Sequence, residues 1–222
     1  LRVLVDRFAN GLAAIGVWRS FGAKAPEPAR SLPLRYASVP AIVEAPAHVA
    51  ATLGFFREEG LDLTMEINPD GKTSLAHLFA GKVDVAAVMA TPVVYSALQR
   101  SDFRILAKVD YKAPIHAVVG RRSHGIGAPQ DIRGKRVAAM EGTSGHYFRD
   151  CWLRQNGMKP TDVTMVPLNA PEAVEAIANG EVDAMFYWFP FPALAERRLG
   201  EDAVVLPAEG LVPGSWVVVT MA

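Results

Sequence analysis

The chain has 222 residues, with 23 basic and 23 acidic side chains, so it carries no formal net charge at neutral pH. Half of the residues are apolar, which is enough to bury the core of one large domain or of two lobes. The balanced charge does not indicate a nucleic-acid partner. The single cysteine, Cys151, excludes an internal disulfide and a cysteine-based metal cluster. No run of about 18 apolar residues predicts a membrane span.

Residues 1–32 differ from the rest of the sequence. Basic residues precede a modest apolar run at 11–18, and Ala23-Lys24-Ala25 is similar to a signal-peptide cleavage site. Arg19 interrupts that pattern. The segment is therefore predicted to be an N-terminal arm, a remnant of an upstream region or an export signal.

From residue 33 onward, the apolar periodicity predicts alternating strands and helices. The predicted strands are 34–39, 61–67, 83–88, 103–109, 111–120, 136–139, 162–165, 182–185 and 216–220. The predicted helices are 45–59, 73–80, 91–98, 147–156 and 171–179. The nearly continuous apolar run at 83–88 is typical of a strand in a parallel sheet.

Two parts of the chain repeat each other. Asp62-Leu63-Thr64-Met65 is followed by Gly81-Lys82-Val83-Asp84, and Asp162-Val163-Thr164-Met165 is followed by Gly180-Glu181-Val182-Asp183. Each pair encloses a short amphipathic helix, so each copy is interpreted as a β-α-β unit. The sequence therefore predicts two similar α/β lobes, with lobe one at 33–112, lobe two at 113–210 and a strand at 211–222 that returns to lobe one.

A turn of small residues follows the strand at 136–139. Its sequence, Gly142-Thr143-Ser144-Gly145-His146, leaves backbone N–H groups at the positive end of a helix, where an anion can bind. The alternative is an ordinary N-cap, because helices favour Ser or Thr at that position. Parallel α/β sheets bind ligands at the carboxyl ends of their strands, so we expect the lobes to face each other across a ligand cleft, with the crossing strands as a hinge.

Further candidates for this cleft lie on the other strand-to-helix turns. Thr91 is either a ligand donor or an N-cap, and Lys72 either balances an anionic charge or lies in solvent. His146 either donates to a ligand or packs on its own turn, and Trp188 forms either an aromatic wall or part of the core. The predicted ligand-binding residues are Pro40, Ala41, Lys72, Thr73, Thr91, Thr143, Ser144, Gly145, His146 and Trp188, with Tyr111 and Asn169 as weaker candidates.

Four stretches of the chain match the motifs of a known family in order and spacing. They are Gly54-Phe55-Phe56-Arg57-Glu58-Glu59-Gly60-Leu61 after the helix from Ala45, Ala80-Gly81-Lys82-Val83-Asp84 with Thr91-Pro92, Ile132-Arg133-Gly134-Lys135-Arg136-Val137-Ala138 with Gly142-Thr143-Ser144-Gly145-His146-Tyr147, and Gly180-Glu181-Val182-Asp183-Ala184 with Trp188-Phe189-Pro190. The chain thereby resembles the periplasmic substrate-binding proteins of sulfonate, taurine, nitrate and thiamine-precursor ABC transporters, the SsuA/THI5-like (NMT1/THI5) group.

This resemblance implies a two-lobed α/β periplasmic-binding-protein fold of type II, with the ligand between the lobes. It implies a monomer in the periplasm or on the cell-envelope exterior that captures an aliphatic sulfonate, taurine or a nitrate-like anion and delivers it to the permease of an ABC importer. No cofactor is expected, and Trp188 is expected to border the ligand. The alternatives are a protein that binds a thiamine-pyrimidine precursor and a ligand-sensing domain of a regulator.

An enzymatic function is not indicated, because the sequence contains neither a nucleophile elbow nor metal-spaced His and Glu residues. Two departures from the family pattern stand out. Relatives continue after the returning strand with helices that complete lobe one, so the chain is expected to be a fragment or a truncated product. Ala90 occupies a place where relatives often carry glycine, although Thr91 keeps the hydroxyl.

Overall fold

The computed structural model describes residues 31–110, 115–208, 210–211 and 214–222. The predicted N-terminal segment up to residue 30 and Tyr111 lie outside the described residues. The strands are Leu32–Ser38 (β1), Leu61–Ile67 (β2), Val85–Met89 (β3), Phe103–Asp110 (β4), His116–Arg121 (β5), Arg136–Ala139 (β6), Thr164–Pro167 (β7), Ala184–Trp188 (β8), Ala203–Leu206 (β9) and Ser215–Met221 (β10). The helices are Ala45–Leu53 (α1), Phe55–Glu58 (α2), Gly71–Phe79 (α3), Ala90–Ala97 (α4), Ser144–Gln155 (α5), Ala170–Asn179 (α6) and Phe191–Leu199 (α7). Within these ranges no helix is both long and apolar enough to cross a membrane.

The strands form two five-stranded sheets, one in each lobe. The order is β2-β1-β3-β10-β4 in lobe one and β7-β6-β8-β5-β9 in lobe two. In both sheets the first three strands are parallel and the fourth, β10 or β5, runs antiparallel to them. The chain crosses between the lobes twice, once after β4 and once after β9.

Helices cover both faces of each sheet, because inner strands such as β3, β6 and β8 present apolar residues on both sides. In lobe two, α5 buries Phe148 and Trp152 against one face, and α6 buries Ile177 against the other. In lobe one, α3 buries Leu78 on one face, and Ala47 of α1 packs against the cluster on the opposite face. The predicted two-lobed α/β architecture is thus confirmed.

The internal repeat is present in the structure as one set of contacts made twice. In lobe one the backbone N–H of Arg35 donates to Oδ2 of Asp84 at 2.8 Å, and in lobe two the N–H of Arg136 donates to Oδ2 of Asp183 at 2.7 Å. In both lobes the arginine side chain also donates to the carbonyl of the glycine that opens the Gly-x-Val-Asp motif. The repeated aspartate therefore joins β1 to β3 in lobe one and β6 to β8 in lobe two.

Several element boundaries differ from the predicted ones. The helix predicted at 45–59 is divided at Gly54, whose φ of +81° is left-handed and ends α1. The helix predicted from Thr73 begins two residues earlier, at Gly71, because Asp70 is its N-cap. Helix α4 begins at Ala90 and α5 at Ser144. Helix α7 and strand β9 were not predicted from the sequence.

The repeated contact predicts unequal losses of stability in the two lobes. The Asp183 side chain is 13% exposed, whereas that of Asp84 is 41% exposed. Asp183→Ala leaves the Arg136 N–H without its acceptor in a less hydrated place than the one around Asp84. We therefore expect Asp183→Ala to lower the free energy of unfolding by about 2 kcal/mol, and Asp84→Ala to lower it by about 1 kcal/mol. Urea denaturation followed by circular dichroism measures both, and a larger loss for Asp84→Ala would contradict this account.

Candidate functional site

A cavity of about 300 Å³ lies between the two lobes. It is lined where parallel strands end, by Val39 after β1, Met89 at the end of β3, Thr143 after β6 and Trp188 at the end of β8. This is the edge at which α/β sheets bind ligands. Most of the lining is apolar, and the polar side chains that reach it belong to Asp70, Lys72, Thr143 and Ser144.

The start of α5 forms the polar part of the wall in lobe two. Thr143 is the N-cap residue, yet its side chain does not cap the helix, because Oγ1 donates to the Met140 carbonyl at 2.6 Å. The first N–H groups of an α-helix have no intrahelical acceptor, so those of Ser144, Gly145 and His146 are not satisfied by the helix itself. The ordinary cap that the sequence also allowed is therefore not made, and the positive end of the helix dipole lies at the cavity.

Gly145 brings this helix start against the aromatic wall. A Cβ atom at position 145 would lie 2.9 Å from the Phe186 carbonyl oxygen and 3.4 Å from Cζ3 of Trp188. Close packing, and not an unusual backbone conformation, therefore requires glycine here. As a result, the N–H groups of the first turn of α5 and the Trp188 ring are immediate neighbours.

Behind this turn lies a buried pair that the sequence analysis missed. Ser144 Oγ and His116 Nε2 are 2.9 Å apart, and the His116 ring stacks on Phe148 with 5.0 Å between centroids. Burial lowers the pKa of His116 to about 4. The imidazole is therefore neutral near pH 7 and offers one donor and one acceptor nitrogen. The sequence held no local signal for this pair, because its two residues lie on different elements.

Lys72 connects the lobes at the mouth of the cavity. It lies in the first turn of α3, where its side chain is exposed, and its Nζ donates to the Glu141 carbonyl of lobe two at 3.0 Å. Helix α4 of lobe one also packs against α5 of lobe two. Lys72 therefore places a positive charge beside the cavity and joins the two lobes by a hydrogen bond.

Asp70 occupies the start of α3, on the lobe-one side of the cavity. Its carboxylate accepts from the Thr73 N–H at 2.8 Å and from the Thr73 hydroxyl at 3.0 Å. This helix start is therefore already satisfied by a negative side chain, in contrast to the start of α5.

Glu44, a further residue that the sequence analysis missed, is 3% exposed and lies just behind the cavity wall. Its carboxylate accepts from the Ser38 hydroxyl at 2.7 Å, from the Tyr36 hydroxyl at 3.2 Å and from the indole N–H of Trp216. Burial, and after it the charge of Glu44, raises the pKa of Tyr36. Three donors satisfy this buried charge, and together they fix Trp216 in the cavity wall.

The structure brings together part of the predicted site. The predicted residues that line the cavity are Pro40, Ala41, Lys72, Thr143, Ser144 and Trp188, and those outside its described lining are Thr73, Thr91, Gly145 and His146. Thr91 lies in the first turn of α4, next to the lining residue Pro92. His146 Nδ1 accepts from the Gly142 N–H at 3.2 Å. Asn169 caps α6 through Glu172 and is also outside the lining.

A protein-family model described as NMT1/THI5 like matches residues 42–214. The chain belongs to this family. It is 27% identical over 172 residues to the taurine-binding periplasmic protein of Escherichia coli K12, which covers 77% of this chain and 52% of that protein. It is also 27% identical over 150 residues to a putative aliphatic sulfonates-binding protein of Bacillus subtilis 168, covering 68% of this chain and 45% of that protein. The chain spans about half the length of these curated relatives.

Solved structures of the same architecture agree with this assignment. The alkanesulfonate-binding protein SsuA from Xanthomonas axonopodis pv. citri, bound to MOPS, superposes with a TM-score of 0.74 at 23% identity, over 87% of this chain and 66% of that one. The aliphatic sulphonate-binding protein SsuA from Escherichia coli superposes with a TM-score of 0.71 at 21% identity, over 85% and 61% of the chains. The expected periplasmic-binding-protein fold and the family resemblance are therefore confirmed.

The buried His116 makes stability depend on pH. Its pKa falls from 6.5 to about 4 on folding. Between these two pH values, His116 is mostly protonated in the unfolded chain and mostly neutral in the folded protein. The contribution of neutral His116 to the free energy of unfolding is fully present above pH 6.5, and it is lost as the pH falls towards 4. Between about pH 7.5 and about pH 5 the wild type should lose about 2 kcal/mol more than His116→Gln.

Urea denaturation at the two pH values measures this difference. Glutamine keeps a hydrogen-bonding side chain beside Ser144 but does not titrate, so the variant serves as its own control for lost packing at pH 7.5. Equal losses in the wild type and the variant would contradict the neutral, buried state of His116.

Proposed function

We propose that the protein is the solute-binding component of an ABC importer. It captures a small anionic solute, such as an aliphatic sulfonate, taurine or a nitrate-like ion, by closure of its two lobes. The observation that carries this proposal is the uncapped start of α5 in the wall of the interlobe cavity. The family membership and the names of the sulfonate- and taurine-binding relatives support the same solute class.

The chemistry of capture follows from the position of the donors. Sulfonate oxygens placed at the start of α5 would accept from the backbone N–H groups of Ser144, Gly145 and His146. These donors are already oriented, so binding does not have to order flexible side chains. Apolar walls exclude water from the bound anion, which strengthens each charge-assisted hydrogen bond.

Closure would be helped by Lys72. Its ammonium group compensates part of the anionic charge, and its hydrogen bond to the Glu141 carbonyl joins lobe one to lobe two. Closure would move the two sheets relative to each other, and the chain passes between them twice, from β4 to β5 and from β9 to β10. A closed, monomeric complex would then be recognised by the permease on the exterior face of the membrane, as expected for a periplasmic protein of this family.

Isothermal titration calorimetry with ethanesulfonate, taurine and nitrate tests this function. We expect at least one of these anions to bind the 222-residue chain. Lys72→Met should weaken binding about fivefold, because it removes the positive charge at the cavity mouth and one interlobe hydrogen bond.

Lys82→Met is the matched control, since Lys82 is an exposed lysine of lobe one outside the described cavity lining. It should change affinity by less than about twofold. Absence of binding for these three anions and for p-toluenesulfonate would refute the proposed function. Equal effects of the two lysine variants would refute the role of Lys72 alone.

A further inference from the structure

The interlobe cavity has aromatic walls on both sides. Trp188, Phe189 and Phe191 line it from lobe two, and Trp216 lines it from lobe one. Trp188 and Phe191 meet edge to face, with 6.2 Å between ring centroids. Aromatic rings contribute large apolar contact areas and favour other rings as neighbours. These walls are more extensive than a nitrate ion or taurine can cover.

The polar side chains that reach the cavity already have partners inside the protein. The Thr143 hydroxyl donates to the Met140 carbonyl, Ser144 pairs with His116, Lys72 donates to the Glu141 carbonyl and Asp70 accepts twice from Thr73. Away from these four side chains the wall is apolar, so a second polar group of a ligand placed against it would lose its hydrogen bonds to water. That loss costs affinity.

Trp216 is held so that its only polar atom is turned away from the ligand. Its indole N–H donates to the buried carboxylate of Glu44, which the hydroxyls of Ser38 and Tyr36 also hold in place. The ring therefore offers the cavity an apolar and rigid surface. This wall favours a ligand body that has no hydrogen-bonding group of its own.

The anion-binding and aromatic parts of the cavity are adjacent. Thr143, Ser144 and Trp188 line the same cavity, and a Cβ atom at position 145 would lie 3.4 Å from Cζ3 of the Trp188 ring. An anion bound at the start of α5 therefore has the Trp188 ring beside it. A ring attached to the anion would pack against the Trp188 ring, and aromatic rings favour other rings as neighbours.

We propose that the solute is an organic sulfonate with an aromatic body, an arylsulfonate, and that the site disfavours taurine and nitrate. This inference rests on the proposed anion-binding function and specifies its ligand. A cavity of about 300 Å³ lies at the lower end of the range for pockets that hold drug-sized ligands. It has room for a single substituted ring, whereas taurine and nitrate leave much of the apolar wall in contact with water.

Calorimetric titration of the 222-residue chain with four probes tests the inference. The probes are p-toluenesulfonate, ethanesulfonate, taurine and nitrate. We expect p-toluenesulfonate to bind at least about tenfold more tightly than ethanesulfonate or taurine, because the ring adds apolar burial without adding a polar group. Trp188→Leu should weaken p-toluenesulfonate about tenfold and ethanesulfonate less than about threefold.

Phe55→Leu is the matched control, because Phe55 is a partly exposed aromatic residue of α2 outside the described cavity lining. It should leave both affinities unchanged. If Trp188→Leu does not fold by circular dichroism, the ratio of wild-type affinities still decides the question. Tighter binding of ethanesulfonate or taurine than of p-toluenesulfonate would overturn the inference but leave the proposed function intact. Failure of all four anions to bind would overturn both.

Discussion

An uncapped helix start in an apolar cavity is the constraint on which the proposed function depends. The first turn of α5 presents backbone N–H groups and the positive end of the helix dipole, while the Thr143 hydroxyl that could have capped it bonds to Met140 instead. Donors in such a place need an acceptor, and a bound anion supplies one without ordering further side chains. The start of α3 differs, because Asp70 already satisfies it. The two helix starts therefore differ, because a carboxylate caps the start of α3 and no side chain caps the start of α5.

The surrounding scaffold keeps this helix start in position. Each lobe repeats a β-α-β unit in which an aspartate, Asp84 or Asp183, joins neighbouring strands near the edge remote from the cavity. The opposite strand ends are thereby free to carry the cavity lining. Buried polar groups then fix individual parts of the wall, with Glu44 holding Trp216 and His116 holding Ser144. In the proposed function, recognition would depend on backbone donors and rigid rings more than on flexible charged side chains.

The sequence alone predicted the features that depend on neighbouring residues. The Gly-Thr-Ser-Gly turn and Trp188 were found because each follows an apolar strand, and the repeated Gly-x-Val-Asp motif predicted two similar lobes. Contacts between distant residues could not be predicted in this way. Glu44 and Trp216 are separated by 172 positions. Glu44 lies just before the helix predicted at 45–59, and nothing local marked it as a buried carboxylate.

Binding of an anion at the start of α5 is tested most directly by amide chemical shifts. We predict that titration of ¹⁵N-labelled protein with a binding sulfonate shifts the amide resonances of Ser144, Gly145 and His146 more than those of the capped first turn of α6. Downfield shifts of these amide protons would indicate new hydrogen bonds to the sulfonate oxygens. Saturating binding that leaves the three resonances in place would contradict the account.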